Sequence, residues 1–201
     1  MPARGMDAVT NEALWDAAEK TLRAIGVEAG ATCLDFGCGH GNYTVPLAKV
    51  VRPSGTVYAL DKDDAELRRA TERARDAGLD NVEPLTSTDG PLIALDDDAL
   101  DVVILFDVLH SYYFTVEERK RLFEEIGRVA SPRALLAVFP HHMEADEIES
   151  EVVQRAIATG FERARDYRGP LVHDDHVVED SVLIFTRGQR VSRGRTASTR
   201  D

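Results

Sequence analysis

Two rhythms of apolar residues alternate along this chain. Leu14, Ala18, Leu22 and Ile25 recur at helical spacing through residues 11–25, with Asn11 placed to cap the helix and Gly26 beyond its end. The run 32–36 reads as a first strand, followed by a helix over 42–50 and a turn at Pro53-Ser54-Gly55. A second strand over 56–60 leads to a helix over 63–77, closed by Gly78, and then to a short strand over 82–86. Leu100 to Phe106 is almost wholly apolar, as a central parallel strand buried on both faces should be. The segment 115–130 places Val116, Leu122, Phe123, Ile126 and Val129 on one helical side. Ser131-Pro132-Arg133 turns into a strand over 134–139. The pattern ends with a helix near 144–159, a strand over 161–167, a connection over 168–179 and a last strand over 181–187.

This alternation predicts an α/β fold: a single doubly wound, mostly parallel seven-stranded sheet of Rossmann-like form. The domain spans 11–187. Residues 1–10 read as a loose N-terminus, and the polar, aperiodic 188–201 as a disordered tail, locally basic and so also a candidate contact arm.

With 201 residues the chain fits one domain with a full core. Hydrophobic content of 43% and charged content of 30% are those of a globular protein. No run approaches the ~20 apolar residues that span a bilayer. The N-terminus lacks a basic segment followed by an apolar stretch, so the expectation is cytoplasmic residence without a membrane partner. A net charge of −12 repels phosphates and argues against a nucleic-acid substrate. Two cysteines, Cys33 and Cys38, cannot build a metal framework alone and read as small buried thiols.

The segment Asp35-Phe36-Gly37-Cys38-Gly39-His40-Gly41 says more than the rest. A strand carries an acid near its end, three alternate glycines follow, and a helix begins. Glycines at that density allow a sharp turn and close backbone approach to a ligand, and the helix start points free N–H groups back at the turn. A dinucleotide site would show Gly-x-Gly-x-x-Gly; position 42 here is Asn. Asp35 beside the loop would repel a pyrophosphate and attract a cation or a hydrogen-bond donor.

The acid-x-Gly-x-Gly-x-Gly pattern resembles the first motif of the class I S-adenosylmethionine-dependent methyltransferases. The resemblance covers roughly residues 28–187. It implies a sheet whose last strand inserts antiparallel, and S-adenosyl-L-methionine as cofactor. Asp35 would orient the loop and the methionine end, and Gly37, Cys38, Gly39 and Gly41 would border methionine and ribose. Asp61, ending the second strand, would accept from both ribose hydroxyls, a task its two oxygens fit; Lys62 would cover the adenine. Asp89 would accept from the adenine amino group, although Thr88 stands where the family usually has Gly. The fourth motif falls on Phe106-Asp107-Val108-Leu109-His110, where a backbone carbonyl at the strand end, at Phe106, would hold the ammonium. The Asn/Asp-Pro-Pro-Tyr of nucleobase amino-group methylation is absent there.

Ligands in open α/β sheets bind at the carboxyl ends of strands. That rule makes Asp107, His110 and His141 the candidate catalytic residues, with Tyr112, Tyr113 and Phe114 as an apolar wall. A neutral imidazole can act as general base near pH 7. His141-His142 follows the fifth strand and His173-Asp174-Asp175-His176 precedes the last; with His110 and the two acids they could bind zinc or iron, but the spacings match no dedicated motif and no metal ligand is assigned from sequence. The reading is methyl transfer to a small-molecule acceptor. A protein acceptor, a non-catalytic cofactor-binding module and a nicotinamide oxidoreductase stay open from sequence alone, as does the oligomeric state.

Overall fold

The computed structural model describes residues 11–86 and 91–188. Among them the strands β1 (Thr32–Phe36), β2 (Thr56–Asp61), β3 (Val82–Thr86), β4 (Leu100–Phe106), β5 (Ala130–Phe139), β6 (Phe161–His173) and β7 (His176–Arg187) form one sheet. Its order is β3-β2-β1-β4-β5-β7-β6. β1 to β5 pair in parallel, and β7 inserts antiparallel between β5 and β6. This is the doubly wound, mostly parallel sheet that the apolar pattern and the resemblance together implied.

The helices α1 (Asn11–Ile25), α2 (Thr44–Val51), α3 (Asp64–Asp76) and α4 (Val116–Val129) cover the two faces. Each forms where its sequence allows. Asp63 caps α3 by accepting from Ala65 N at 2.8 Å and Glu66 N at 3.4 Å. Thr115 and Glu118 cap α4 reciprocally, the Glu118 carboxylate accepting from Thr115 N at 2.8 Å. α2 carries Pro46 in its first turn, where no intrahelical N–H is lost, and buries almost every residue.

Two apolar layers lie either side of the sheet. Leu14, Leu22, Val45 and Leu47 pack with Ile104 and Ile184 on one face. Leu34, Val103, Leu122, Phe123 and Phe185 pack on the other. β4 is buried at every position but Asp101, so the strand from which Asp107 emerges is fixed on both sides.

The structure corrects the sequence reading near the C-terminus. No connection occupies 168–179. β6 and β7 form one long hairpin, paired from Phe161↔Arg187 to His173↔His176, with Asp174 and Asp175 at the turn. Gly169-Pro170 reads as a breaker but lies on β6, an edge strand, where a missing N–H costs little. The arm packs against α1 and the residue that precedes α2. Val172 N donates to the Tyr43 hydroxyl at 2.7 Å, and the Thr21 hydroxyl donates to the Pro170 carbonyl. The helix expected near 144–159 is interrupted: short α segments, Ala145–Glu147 and Gln154–Ala158, flank a π-helical Ile148–Val153.

Candidate active site

The three N–H groups that follow β1 are already engaged. Gly37 N and Cys38 N donate to Leu60 O at 2.8 and 3.0 Å, and Gly39 N donates to Asp61 Oδ2 at 2.8 Å. The end of β2 therefore holds the loop open. A Cβ on Gly37 would fall 2.6 Å from Val108 Cγ2, so only glycine lets the loop lie against the segment after β4. Gly39, at φ +50°, has nothing within 4 Å of where its Cβ would be; that direction faces free space. The free space is a cavity of about 570 Å³ at the carboxyl end of the sheet. Gly37, Gly39, Asp61, Lys62 and Asp107, all candidates from the sequence, line it together with Tyr113 and Phe114.

Other predicted residues lie behind the cavity wall. Gly41 packs on Ala70, whose Cα would sit 3.0 Å from an added Cβ. Cys38 is buried against Ala59, Leu67 and Ala70, and both cysteines are free, with burial pushing each thiol's pKa up. Phe106 is buried edge-on to Tyr43 and Phe139. Asp35 is 3% exposed and accepts from Thr44 Oγ1 at 2.7 Å, a partner the sequence did not reveal. Desolvation raises its pKa to about 7, Thr44 opposing the shift and Asp61 adding to it. Thr88 and Asp89 lie outside the described residues.

The cavity is acidic. Asp61, Asp63, Glu66, Asp107 and Glu118 line it against the single ammonium of Lys62, which sits 4.4 Å above the Tyr113 ring. Asp61 Oδ1 also accepts from Asp63 N at 2.9 Å. A carboxylate offers about four acceptor positions, so Asp61 retains capacity for ligand hydroxyls on both oxygens. With the Gly39 N–H committed to Asp61 and carboxylates all round, this loop cannot cradle a pyrophosphate. It suits a ligand that carries cationic groups.

A family model described as a methyltransferase domain matches residues 27–167. The chain belongs to that family. It is 30% identical over 114 residues to a demethylmenaquinone methyltransferase of Bacillus subtilis, covering 55% of this chain and 48% of that one. It is 32% identical over 114 residues to the demethylmenaquinone methyltransferase of Lactobacillus johnsonii, covering 57% and 45%. The chain thus spans about half the length of these curated relatives. A solved SAM-dependent methyltransferase from Aquifex aeolicus superposes with a TM-score of 0.66 at 28% identity, covering 85% of this chain and 89% of that one. The family's cofactor is S-adenosyl-L-methionine, and the residues fit it. Besides the acidic lining and the space before Gly39, Asp107 Oδ1 is buried without a hydrogen-bond partner, an acceptor left for a bound donor.

Of the three candidate catalytic residues of this methyltransferase, Asp107 lines the cavity, whereas His110 and His141 are not among the residues lining it. The Asp107 backbone is left-handed, at φ +54°, held by Asp107 N donating to Phe139 O at 3.0 Å. Its Oδ2 lies 2.8 Å from His173 Nδ1. His141 pairs through Nδ1 with Asp180 Oδ2 at 3.0 Å. The His110 ring is 4.5 Å from that of Tyr113 and 5.9 Å from that of His142. Tyr113 and Phe114 form part of the expected apolar wall; Tyr112 is 83% exposed and does not line the cavity. The buried Arg119 fixes this loop by donating to Leu109 O at 2.9 Å while pairing with Glu147 at 2.7 Å. Sequence reasoning left His173 and Asp180 out of the site, because nothing in the chain reveals that β6 folds back against the end of β4. Among the described residues no helix is long and apolar enough to cross a membrane.

Proposed function

We propose that this methyltransferase transfers the S-adenosylmethionine methyl group to a small-molecule acceptor held between Asp107, His110 and the Tyr113–Phe114 wall. The single observation that carries this reading is the acidic cavity at the glycine loop, closed to a pyrophosphate by the Gly39–Asp61 hydrogen bond. When bound, the cofactor supplies a methyl group already activated by its sulfonium leaving group. The protein's work is therefore positioning and water exclusion.

Asp61 and the Gly37–Gly39 backbone would hold the nucleoside and methionine ends, and Lys62 would cover the adenine. Asp35, charged at neutral pH once a cation lies above it, steadies the loop from beneath through Thr44. Asp107 orients the acceptor from the end of β4. Where the acceptor nucleophile carries a proton, His110 would take it. His141, held by Asp180, stands beside His173 and outside the residues that line the cavity. The relatives named for a quinone precursor support a small, apolar acceptor, and the aromatic wall has the chemistry to stack on one.

Calorimetry with S-adenosylmethionine, followed by assay of S-adenosylhomocysteine release over a panel of phenol, quinol, amine and thiol acceptors, tests this reading. Binding with turnover on at least one acceptor is expected. Absence of binding heat overturns the cofactor assignment, and binding without turnover across the panel points to a cofactor-holding module.

A further inference from the structure

Three histidines from two distant segments converge, one of them in contact with Asp107. His141 and His142 follow β5, and His173 ends β6. One ring nitrogen from each can be chosen so that all three lie within 4.8 Å of one another. Ring centroids are 4.1 Å apart for His141–His173, 4.2 Å for His141–His142 and 5.2 Å for His142–His173. We propose that His141, His142 and His173 bind one divalent first-row transition ion, for which zinc is the natural probe.

Three independent features favour ligation over packing. Two of the rings carry a carboxylate on Nδ1: Asp180 on His141 at 3.0 Å and Asp107 on His173 at 2.8 Å. The His141–Asp180 contact is a hydrogen bond of the kind that orients ligating histidines, whereas Asp107 approaches His173 as an ion-pair partner without hydrogen-bonding its Nδ1. Second, His142, Asp107 and Asp174 all adopt left-handed backbone, at φ +63°, +54° and +41°. Non-glycine strain of this kind gathers at functional sites, and His142, being exposed, gains no burial in return. Third, three imidazoles with an open fourth position match the donor set of catalytic zinc sites. Tetrahedral ligation at about 2.0–2.1 Å needs nitrogens roughly 3.3 Å apart, a contraction that small ring rotations supply. The exposed Asp174 carboxylate, 3.5 Å from His173 Nε2, is at hand as a fourth ligand.

The ion site stands on these side chains alone and does not depend on the cofactor. Its place against Asp107 adds one consequence, which does rest on the methyl-transfer reading: an acceptor oxygen or sulfur that displaces Asp174 would be made more acidic by the ion, its proton passing to the displaced Asp174 carboxylate.

The test uses the full chain, stripped with a chelator and titrated with zinc(II) by calorimetry and with cobalt(II) by visible absorbance. One ion per chain is expected, with the intense d–d bands of four-coordinate cobalt. His142→Ala, at an exposed position, should fold normally and weaken zinc binding by at least about tenfold, and Asp180→Asn by about 10–100-fold. His173→Ala should abolish the four-coordinate spectrum. Six-coordinate cobalt bands, sub-stoichiometric zinc, or an affinity unchanged in both His142→Ala and His173→Ala would overturn the site. S-adenosylmethionine binding is measured on the same samples. Zinc binding without cofactor binding refutes only the methyl-transfer reading, and the reverse result refutes only the ion.

Discussion

Asp107 Oδ2 and His173 Nδ1 lie 2.8 Å apart, joining the end of β4 to the tip of the β6–β7 hairpin. Strands β5 and β7 separate these two strands in the sheet, so the contact closes over the carboxyl edge instead of running along it. Asp107 itself lines the cavity, and its second oxygen is buried without a hydrogen-bond partner. Asp107→Asn isolates the charge, because asparagine tolerates the left-handed backbone that position requires. Turnover should fall at least about tenfold while the melting temperature changes by no more than about 4 °C, a shift worth about 1–2 kcal/mol in a domain of this size. Steady-state kinetics beside thermal unfolding would check this, and unchanged turnover would remove Asp107 from the reaction centre.

Gly39→Val separates fold from binding. Nothing lies within 4 Å of the new Cβ, so no packing clash is introduced. The backbone at φ +50° costs about 1–2 kcal/mol for a side chain with a Cβ. The isopropyl group projects into the cavity, so cofactor binding should be lost in a protein that still unfolds cooperatively. Circular dichroism and calorimetry on one preparation decide it; normal affinity would disprove close approach at this position.

Asp61→Ala removes the acceptor for Gly39 N and the proposed acceptor for the ribose together. Losing charge-assisted hydrogen bonds should weaken cofactor binding by about 1.5–3 kcal/mol. Asp61→Asn keeps one carbonyl oxygen and should fall between the two. The pair matters because a purely structural role for Asp61 would lower the melting temperature and the affinity in step, whereas a ribose contact lowers affinity further. Comparing S-adenosylmethionine with its 2′-deoxy analogue supplies the check: the alanine variant should no longer distinguish them.

Most of the framework was legible because the sheet's centre is simple. Leu100–Phe106 and Thr32–Phe36 are short apolar runs between clear turn signals, and each strand forms where its run lies. Gly37, Gly39, Asp61, Lys62 and Asp107 were legible because strand-end position fixes where such residues point in a parallel sheet. The C-terminal hairpin was not. Arg163, Arg165, Asp166 and Arg168 on β6 are polar on an open sheet edge, and Gly169-Pro170 mimics a loop. Its true length depends on pairing with β7, a non-local partner. The histidine cluster follows from that same pairing, so no local spacing encodes it. Thr44 under Asp35 was missed for a related reason: a helix-start threonine looks like a cap, yet here its hydroxyl donates to a buried carboxyl group.

Arg119 is 3% exposed on α4. One of its nitrogens donates to Leu109 O at 2.9 Å and pairs with Glu147 at 2.7 Å; Nε lies 3.4 Å from Glu151. Arg119→Met keeps the volume and leaves Glu147 and Glu151 facing an apolar wall. Glu147 is partly exposed, so the loss should fall below the 3–5 kcal/mol of a fully buried pair, at about 2–3 kcal/mol. The loop bearing His110 and Tyr113 would also lose its tether at Leu109. Chemical denaturation should report the stability change, and a higher KM for the acceptor with unchanged cofactor affinity should report the loop.

The pH dependence of stability gives Asp35 its own signature. Its carboxyl ionises near 3.8 when unfolded and near 7 when folded, burial being the main cause. Between these values the folded chain holds a proton that the unfolded chain has released. Stability therefore falls as pH rises from about 4 to about 7 and levels off above, the slope approaching 1.4 kcal/mol per pH unit from this group alone. Asp35→Asn cannot titrate and should lack that fall, so the difference between the two proteins in urea should itself vary with pH. Thr44→Val, which removes the hydroxyl donor that favours the ionised form, should carry the decline to higher pH. A cationic ligand above the loop favours ionised Asp35. Cofactor binding near pH 6 should consequently release a fraction of a proton, visible as calorimetric heats that differ between buffers of different ionisation enthalpy. Identical heats in all buffers, with parallel stability curves for the wild type and Asp35→Asn, would mean that Asp35 is ionised throughout and that the fold solvates its charge.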